Sequence, residues 1–339
     1  MKVAAYTGGR LDPSARARVR QFIGPLATRG IVVTEYPLPY GCAQPEHRVL
    51  LPAWGAMTIA NRIASLVTGH AAHASWVSRQ LLPSYLSIQQ LLKRPAVLDV
   101  DDAIWLNRGG ERVPRLASSA QTVVCGNDFL AQRFREWNDN VVVIPTAIDT
   151  DFYQPGNATG DSIDGVVIGW TGTSMNFRYL YLVEPALARI LDRYKDVRVL
   201  IVADKPPQFR VLSQSRFEFV RWTPSAERSA MARMSIGLMP LEDSEWARGK
   251  CSYKMLCYMA ASLPVLVSPI GMNNEVLAQG QIGYGASSTD EWVKSLAILI
   301  EDSALRIEMG RIGRRVVESR YSLAKLASKY SDIFHSLIE

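Results

Sequence analysis

Residues 248–269, RGKCSYKMLCYMAASLPVLVSP, hold the densest chemistry in this sequence. Arg248, Lys250 and Lys254 stand just before or at the start of a stretch that reads as a helix to about Ala261. Ser262 and Pro264 close it, and 265–268 reads as the strand that follows. Cations at a helix N-terminus oppose the helix dipole, so folding alone does not favour them there. They become sensible with an anion between them and the first-turn amides. A diphosphate, with two charges and several acceptor oxygens, has the right chemistry. The alternative is a solvated basic loop.

A second group is acidic. Asp99, Asp101 and Asp102 close the apolar run 95–100. Asp-x-Asp is a spacing that binds divalent metals, but it is common. A carboxylate at a strand end can also orient a hydroxyl or stabilise positive charge, and Asp101 or Asp102 can equally cap a helical turn over 103–106. A third group is TGGRLDPSARARVR, residues 7–20. Gly8 and Gly9 permit close approach of the backbone to a ligand, or form a plain turn. Arg16 and Arg20 share a helical face suited to a phosphate or lipid headgroup, or to water. His47, His70 and His73 have no ligand spacing. Cys42, Cys125, Cys251 and Cys257 form no Cys-x-x-Cys pair, which reads as reduced thiols and no zinc site.

The elements that position these groups follow from patterning. The chain has 339 residues, 48% apolar and 21% charged, an ordinary globular composition that excludes disorder and a disulfide scaffold. No apolar run approaches the length of about 18 residues that crosses a membrane, and the start lacks a secretory signal. Residues 1–150 carry 16 Lys/Arg against 11 Asp/Glu, while 151–339 carry 22 against 21. A basic first half suits an anionic partner, a phospholipid surface or a pyrophosphate-bearing molecule, or is simply a solvated surface. It lacks the basic runs and aromatic motifs of a nucleic-acid binder. The stretches 54–67 and 76–92 mix Trp, Leu and Ile with scattered Arg. They read either as core or as amphipathic elements touching a membrane.

Strand-like runs at 2–6, 31–36, 97–100, 122–125 and 141–144 alternate with helix-like runs at 14–28, 56–68, 84–93 and 129–137. Residues 145–164 read as a linker, rich in Pro, Gly, Asp and Asn. The alternation then restarts, with strands at 165–170, 197–202, 217–220, 236–239 and 264–267 and a helical tail. This predicts two α/β domains, 1–150 and 151–339, with the last helix able to pack back on the first.

Five stretches, in order, resemble the GT-B glycosyltransferases of the family 4 type, the glycosyl transferases group 1. They are VVVIPTAIDTDFYQP (141–155), IGWTGTSMNFRYL (168–180), FVRWTPSAERSAMARMSIGLMPL (219–241), KMLCYMAASLPVLVSPIGMNNEVL (254–277) and the closing YSLAKLASKYSDIF. The resemblance implies an α/β GT-B fold, two Rossmann-like domains facing across a cleft, the first binding an acceptor and the second a nucleotide sugar. It implies transfer to a hydroxyl acceptor with retention and without metal or other cofactor.

On this resemblance Asp101, Asp102, Lys250 and Lys254 are the catalytic residues. Gly8, Gly9, Gly172, Thr173, Arg178, Arg248, Ser252 and Tyr253 bind the donor, with Arg221, Trp222 and Thr223 at the base and Asn273, Asn274 and Glu275 at the sugar. The chain departs from the family at its paired glutamates, whose positions hold Gly249 and Cys257. The divergent form resembles a branch acting in bacterial polysaccharide, glycolipid or glycoconjugate assembly. It implies a lipid-linked acceptor, a cytoplasmic enzyme at the inner membrane face, contact with anionic lipid and no nucleic acid. Loss of both glutamates leaves open a non-catalytic, lectin-like partner, and the two-domain plan leaves open a sugar-nucleotide epimerase.

Overall fold

The computed structural model describes residues 1–41, 45, 47–82, 91–156 and 165–338. The chain divides into two compact units. One comprises Met1–Ala147, Gly249–Cys251 and Leu323–Glu339; the other comprises Ile148–Arg248 and Ser252–Ser322.

The N-terminal unit is built on a parallel sheet of strands β1 (Lys2–Thr7), β2 (Val32–Pro37), β3 (Ala74–Ser78), β4 (Ala96–Val100), β5 (Thr122–Cys125) and β6 (Val141–Val143), in the order β2-β1-β3-β4-β5-β6. The central strands are buried on both faces, and β5 reads accordingly as an apolar run, whereas Asp99 interrupts β4, and β3, with Ser75 and Ser78, does not read as a strand in the sequence. Chain order reverses between β1 and β3, and loops at such a switch point form the natural ligand crevice of an open parallel sheet.

Two sequence expectations change here. The stretch 76–92 was expected to be helical, either core or touching a membrane; its start is instead the strand β3, where Trp76 is core, with 0% exposure and packed on Phe22, Tyr330 and Phe334. The helix expected at 84–93 falls mainly on residues outside those described, as do Cys42 and the centre of the linker. The single helix expected over 14–28 is broken into a π turn (Ala15–Val19), a 3-10 turn (Arg20–Phe22) and a short α-helix (Ile23–Ala27). Gly24 and Pro25 explain part of this, because proline removes an amide and clashes with the preceding turn. Ser14 supplies no cap; its hydroxyl donates to Asp101 instead.

A buried ionic network ties the C-terminal helix Leu323–Ser336 into this unit. Arg18 and Asp99 are 0% and 1% exposed. Arg18 Nε donates to Asp99 Oδ1 at 2.8 Å, and its Nη atoms donate to the Ile144 carbonyl at 2.8 Å and to the Tyr330 hydroxyl at 2.9 Å. The Tyr330 hydroxyl and Trp76 Nε1 donate to Asp99 Oδ2. Each member satisfies another, which is the condition under which charges survive burial.

The second unit repeats the plan with β7 (Val167–Thr171), β8 (Arg198–Ala203), β9 (Phe217–Arg221), β10 (Ile236–Met239), β11 (Val265–Val267) and β12 (Gly283–Gly285), in the order β12-β11-β10-β7-β8-β9. Leu187, Ile190, Trp292, Leu296 and Met309 from its helices pack against Ile168, Val199, Ile201 and Leu238 of the sheet. The chain order reverses between β7 and β10.

Candidate functional site

In the N-terminal unit, charge collects at the carboxyl ends of β3 and β4. Arg79 follows β3 with a left-handed backbone, φ 62°, and its amide donates to the Asp99 carbonyl at 2.8 Å. That geometry aims the guanidinium fork at two carboxylates: Nε reaches Asp101 Oδ1 at 2.6 Å and Nη2 reaches Asp102 Oδ2 at 2.5 Å. Asp101 also accepts from Ser14. Asp102 faces Lys250, whose Nζ is 3.9 Å from Oδ1. Lys250 is held in turn, because its carbonyl accepts from Asn127 Nδ2 at 3.1 Å and the neighbouring Cys251 Sγ donates to the Asp101 carbonyl at 3.2 Å.

The two neighbouring carboxylates are pushed apart in acidity. Burial raises the pKa of Asp101, but the Arg79 charge and the hydrogen bonds from Arg79 and Ser14 outweigh it, and the net shift is downward. Burial also raises that of Asp102. There the Asp101 charge adds to the rise, Arg79 and Lys250 do not fully offset it, and the net shift is upward. Burial likewise raises nearby Asp12. Opposed shifts in adjacent carboxylates separate a permanent anion from a group able to take a proton.

Asp99, the first carboxylate of the Asp-x-Asp spacing, does not join this cluster, being spent on the buried pair with Arg18. A Cβ on Gly9, whose φ is 149°, would lie 2.8 Å from Gly41 Cα, so this glycine permits a close approach of the chain's own backbone. Gly249 belongs to this unit, and a Cβ there would meet Ala103 Cβ at 2.9 Å and its amide nitrogen at 3.0 Å. Position 249 has no space for a side chain unless Ala103 shifts.

In the second unit the loops after β7 and β10 flank the switch point. The eight-residue helix Tyr253–Ala260 starts from Ser252, whose backbone is left-handed (φ 50°) and whose side chain gives the first turn no cap. The Ser252 hydroxyl donates to Asn273 Oδ1 at 2.7 Å, and Asn273 Nδ2 donates to the Ser268 carbonyl at 3.0 Å. Ser268 Oγ accepts from the Leu241 amide at 2.9 Å. This relay fixes the strained start of the helix to the ends of β10 and β11. Asn273, expected against a sugar, is 1% exposed, with its amide turned inward. Asn274 and Glu275 beside it are exposed.

Lys254, in the first turn, crosses the β7 loop. Its Nζ lies 4.7 Å from the centre of the Trp170 ring, and a Cβ on Gly172 would strike Lys254 Cε at 2.8 Å and the Trp170 ring at 2.7 Å. Gly172 is therefore the residue over which the lysine stem passes. Thr173 accepts from Asn176 Nδ2 at 2.9 Å, and Asp204 at the end of β8 takes the Ser174 amide and hydroxyl at 2.6 and 2.8 Å.

Of the remaining expected groups, Arg248 and Arg178 pair with consecutive acidic residues. Arg248 forks onto exposed Asp243 at 2.9 and 3.0 Å. Lys250 belongs to the other unit, so the three cations do not form one cluster within the second unit. Arg178 lies over Tyr179 and 3.3 Å from Glu242. Arg221 ends β9, the Trp222 amide bonds the Ala203 carbonyl at 2.8 Å, and Thr223 caps the helix Pro224–Met231 through the Ala226 amide at 3.0 Å. Cys257 is 1% exposed.

Three positioning groups escaped sequence reasoning. Arg79 stood in a stretch read as helical. Ser268 lies within the stretch 254–277 but was given no role of its own. Glu227 is buried and accepts from Thr171 Oγ1 at 2.8 Å and the Tyr153 hydroxyl at 3.2 Å, yet reads as an ordinary helix residue. The single signal for any of them was the position of Arg79 before a turn-like Gln-Leu-Leu-Pro.

Residues 165–302 match the family described as glycosyl transferases group 1. No curated protein matches the sequence. The chain is similar in fold to sucrose-phosphate synthase from Thermosynechococcus elongatus, with a TM-score of 0.73 and 14% identity over 99% of both chains. Anabaena HepE, crystallised with UDP and glucose, gives 0.73 and 13% over 99% of this chain and 100% of its own. WaaG, a glycosyltransferase involved in lipopolysaccharide biosynthesis, gives 0.69 and 15% over 98% and 99%. These likenesses bear out the expected GT-B fold.

Proposed function

We propose, for a chain with the GT-B fold and a glycosyl transferases group 1 match over 165–302, transfer of a sugar from a nucleoside diphosphate to a hydroxyl acceptor. The observation that carries this reading is Lys254 laid across Gly172 at the start of a helix whose N-cap side chain is engaged elsewhere. Helix amides and a fixed ammonium group together suit a diphosphate leaving group. UDP is the first nucleotide to test, because Anabaena HepE was crystallised with it.

Retention by front-face attack, without a metal, follows the family resemblance. The leaving diphosphate takes its charge compensation from Lys254 and the helix amides, so a divalent ion has little left to neutralise. On the acceptor side Asp102, with its raised pKa, is the carboxylate suited to receive the hydroxyl proton; Lys250 sets its charge and Asp101 holds Arg79. A lipid-linked acceptor is supported by the helix Leu51–Gly69, on which Met57, Ile63 and Val67 are exposed, with Val49 and Leu50 just before it. The one cation on this helix, Arg62, is 0% exposed, so the contact proposed for the helix itself is apolar. No described helix is long and apolar enough to cross a membrane.

Calorimetry with UDP and a transfer assay over a panel of UDP-sugars test the proposal. Lys254→Ala is expected to lower turnover about 10²- to 10³-fold, the loss typical of one donor to a developing anion. Near-normal turnover in a folded Lys254→Ala variant defeats the diphosphate assignment, and transfer abolished by EDTA and restored by manganese defeats the metal-free one.

A further inference from the structure

Beneath the turn that follows β7, four buried polar side chains of the second unit close on one another. Glu227, on the helix Pro224–Met231, accepts from Thr171 Oγ1 at 2.8 Å through one carboxylate oxygen and from the Tyr153 hydroxyl at 3.2 Å through the other. Thr171 is the last residue of β7, and its amide donates to the Tyr258 hydroxyl at 2.8 Å. Tyr258 stands on the helix Tyr253–Ala260, which also carries Lys254. Burial, and then the nearby Cys257, Tyr253 and Glu227, push the Tyr153 pKa well above the usual tyrosine value, so its hydroxyl stays protonated and keeps donating. Thr171 is thus held twice, by its side chain to one helix and by its backbone to another.

What this network holds is the floor under Lys254. Gly172 follows Thr171 directly, and its amide donates to the Val202 carbonyl at 3.0 Å. The lysine stem passes so close that a Cβ at Gly172 would lie 2.8 Å from Lys254 Cε. Trp170, just before Thr171, presents the ring whose centre is 4.7 Å from Lys254 Nζ. A displacement of Thr171 therefore moves both surfaces on which the lysine rests. Stability alone gives little reason for a carboxylate here. Burying one is costly even with donors in place, and apolar groups of the same shape are often as stable. A hydroxyl–carboxylate bond is directional, however, and it fixes the turn with the precision that a charge contact to a ligand needs.

We infer that Glu227 is a positioning residue of the donor site, holding through Thr171 the Gly172 turn against which the Lys254 ammonium is set. With 4% exposure it acts through Thr171 and not on the ligand. Its role is toward the diphosphate contact of Lys254, and so rests on the transfer reading above.

Calorimetry with UDP and with inorganic pyrophosphate, together with thermal melts, tests this on the full chain. The variants are Thr171→Val, Thr171→Ser, Glu227→Gln and Ile190→Val, with Thr171→Val repeated in the Lys254→Ala background. Thr171→Val keeps the shape and removes the donor, and is expected to weaken binding about tenfold, the equivalent of one lost hydrogen bond. Thr171→Ser keeps the hydroxyl and should bind within about twofold of the unaltered chain. Glu227→Gln, whose amide accepts from one hydroxyl only, should fall between the two. Ile190→Val, in the core of the same unit, lowers stability away from the network and should leave binding unchanged. In Lys254→Ala the further loss from Thr171→Val should be less than about twofold, because the group it positions has gone. Three results each overturn the assignment of Glu227: Thr171→Val binding like the unaltered chain, Thr171→Ser binding no better than Thr171→Val, or the full loss persisting in Lys254→Ala. Should Glu227→Gln not fold, the two Thr171 variants still decide. If Lys254→Ala weakens binding and Thr171→Val does not, the diphosphate reading stands and the role of Glu227 falls. If the unaltered chain binds neither probe, or Lys254→Ala binds both undiminished, the diphosphate reading falls and takes the role of Glu227 with it.

Discussion

Replacing Asp101 by Asn removes one charge from the cluster at the ends of β3 and β4 while keeping the side chain's size. Asp101 accepts from Arg79 Nε at 2.6 Å and from Ser14, and is 13% exposed against 32% for Arg79. Hydrogen bonds to charged groups contribute roughly 1.5–3 kcal/mol each, and losing one partner of a fully buried pair costs about 3–5 kcal/mol. Arg79 here is partly hydrated and keeps Asp102, so the expected loss is about 2 kcal/mol, or roughly 4–8 °C in Tm for a domain of this size. The sign with pH follows from the lowered pKa of Asp101. A carboxylate depressed in the folded state adds stability above its unfolded pKa of about 3.9 and loses it as pH falls through the folded value. The gap in Tm between the unaltered protein and Asp101→Asn should therefore hold steady from about pH 5 to 8 and close below about pH 4. Asp102 is shifted upward, so Asp102→Asn should leave Tm within a degree or two and instead lower sugar transfer, with UDP affinity unchanged. Thermal melts across this pH range, with calorimetry and transfer assays, read both effects. Equal destabilisation by the two substitutions, or an Asp101→Asn effect that persists undiminished into acid, refutes the division of roles.

Gly249→Glu should destabilise the protein, because a Cβ already meets Ala103 at 2.9 Å; chemical denaturation checks this, and an unchanged midpoint counts against the packing argument. Asn273→Ala should weaken UDP binding several-fold although its side chain is buried, since Ser252 loses the partner that holds its left-handed backbone, and calorimetry measures the loss. Met57→Asp combined with Val67→Asp should abolish co-flotation with phosphatidylcholine vesicles and leave UDP affinity intact; flotation that depends on anionic lipid and ignores these substitutions points instead to a charged surface.

Many strand positions in this protein were legible without coordinates because strands buried on both faces leave mainly apolar runs such as 122–125 and 236–239; β3, with Ser75 and Ser78, lacks such a run and read as helix. The two α/β units and the GT-B fold followed from that alternation and from five motif resemblances in order. The start of the helix Tyr253–Ala260 and its Lys254 were also visible, since a cation at that end of a helix conflicts with local electrostatics. Residue pairing was not legible. That Asp99 turns to Arg18 while Asp101 and Asp102 turn to Arg79, that Lys250 sides with Asp102, and that Gly9 makes room for Gly41 all depend on segments brought together from about 20 to about 150 positions apart. Local propensity and periodicity carry no information about such partners. Whether a polar side chain reads as cap, core ion pair or open functional group is decided by what the tertiary fold places against it.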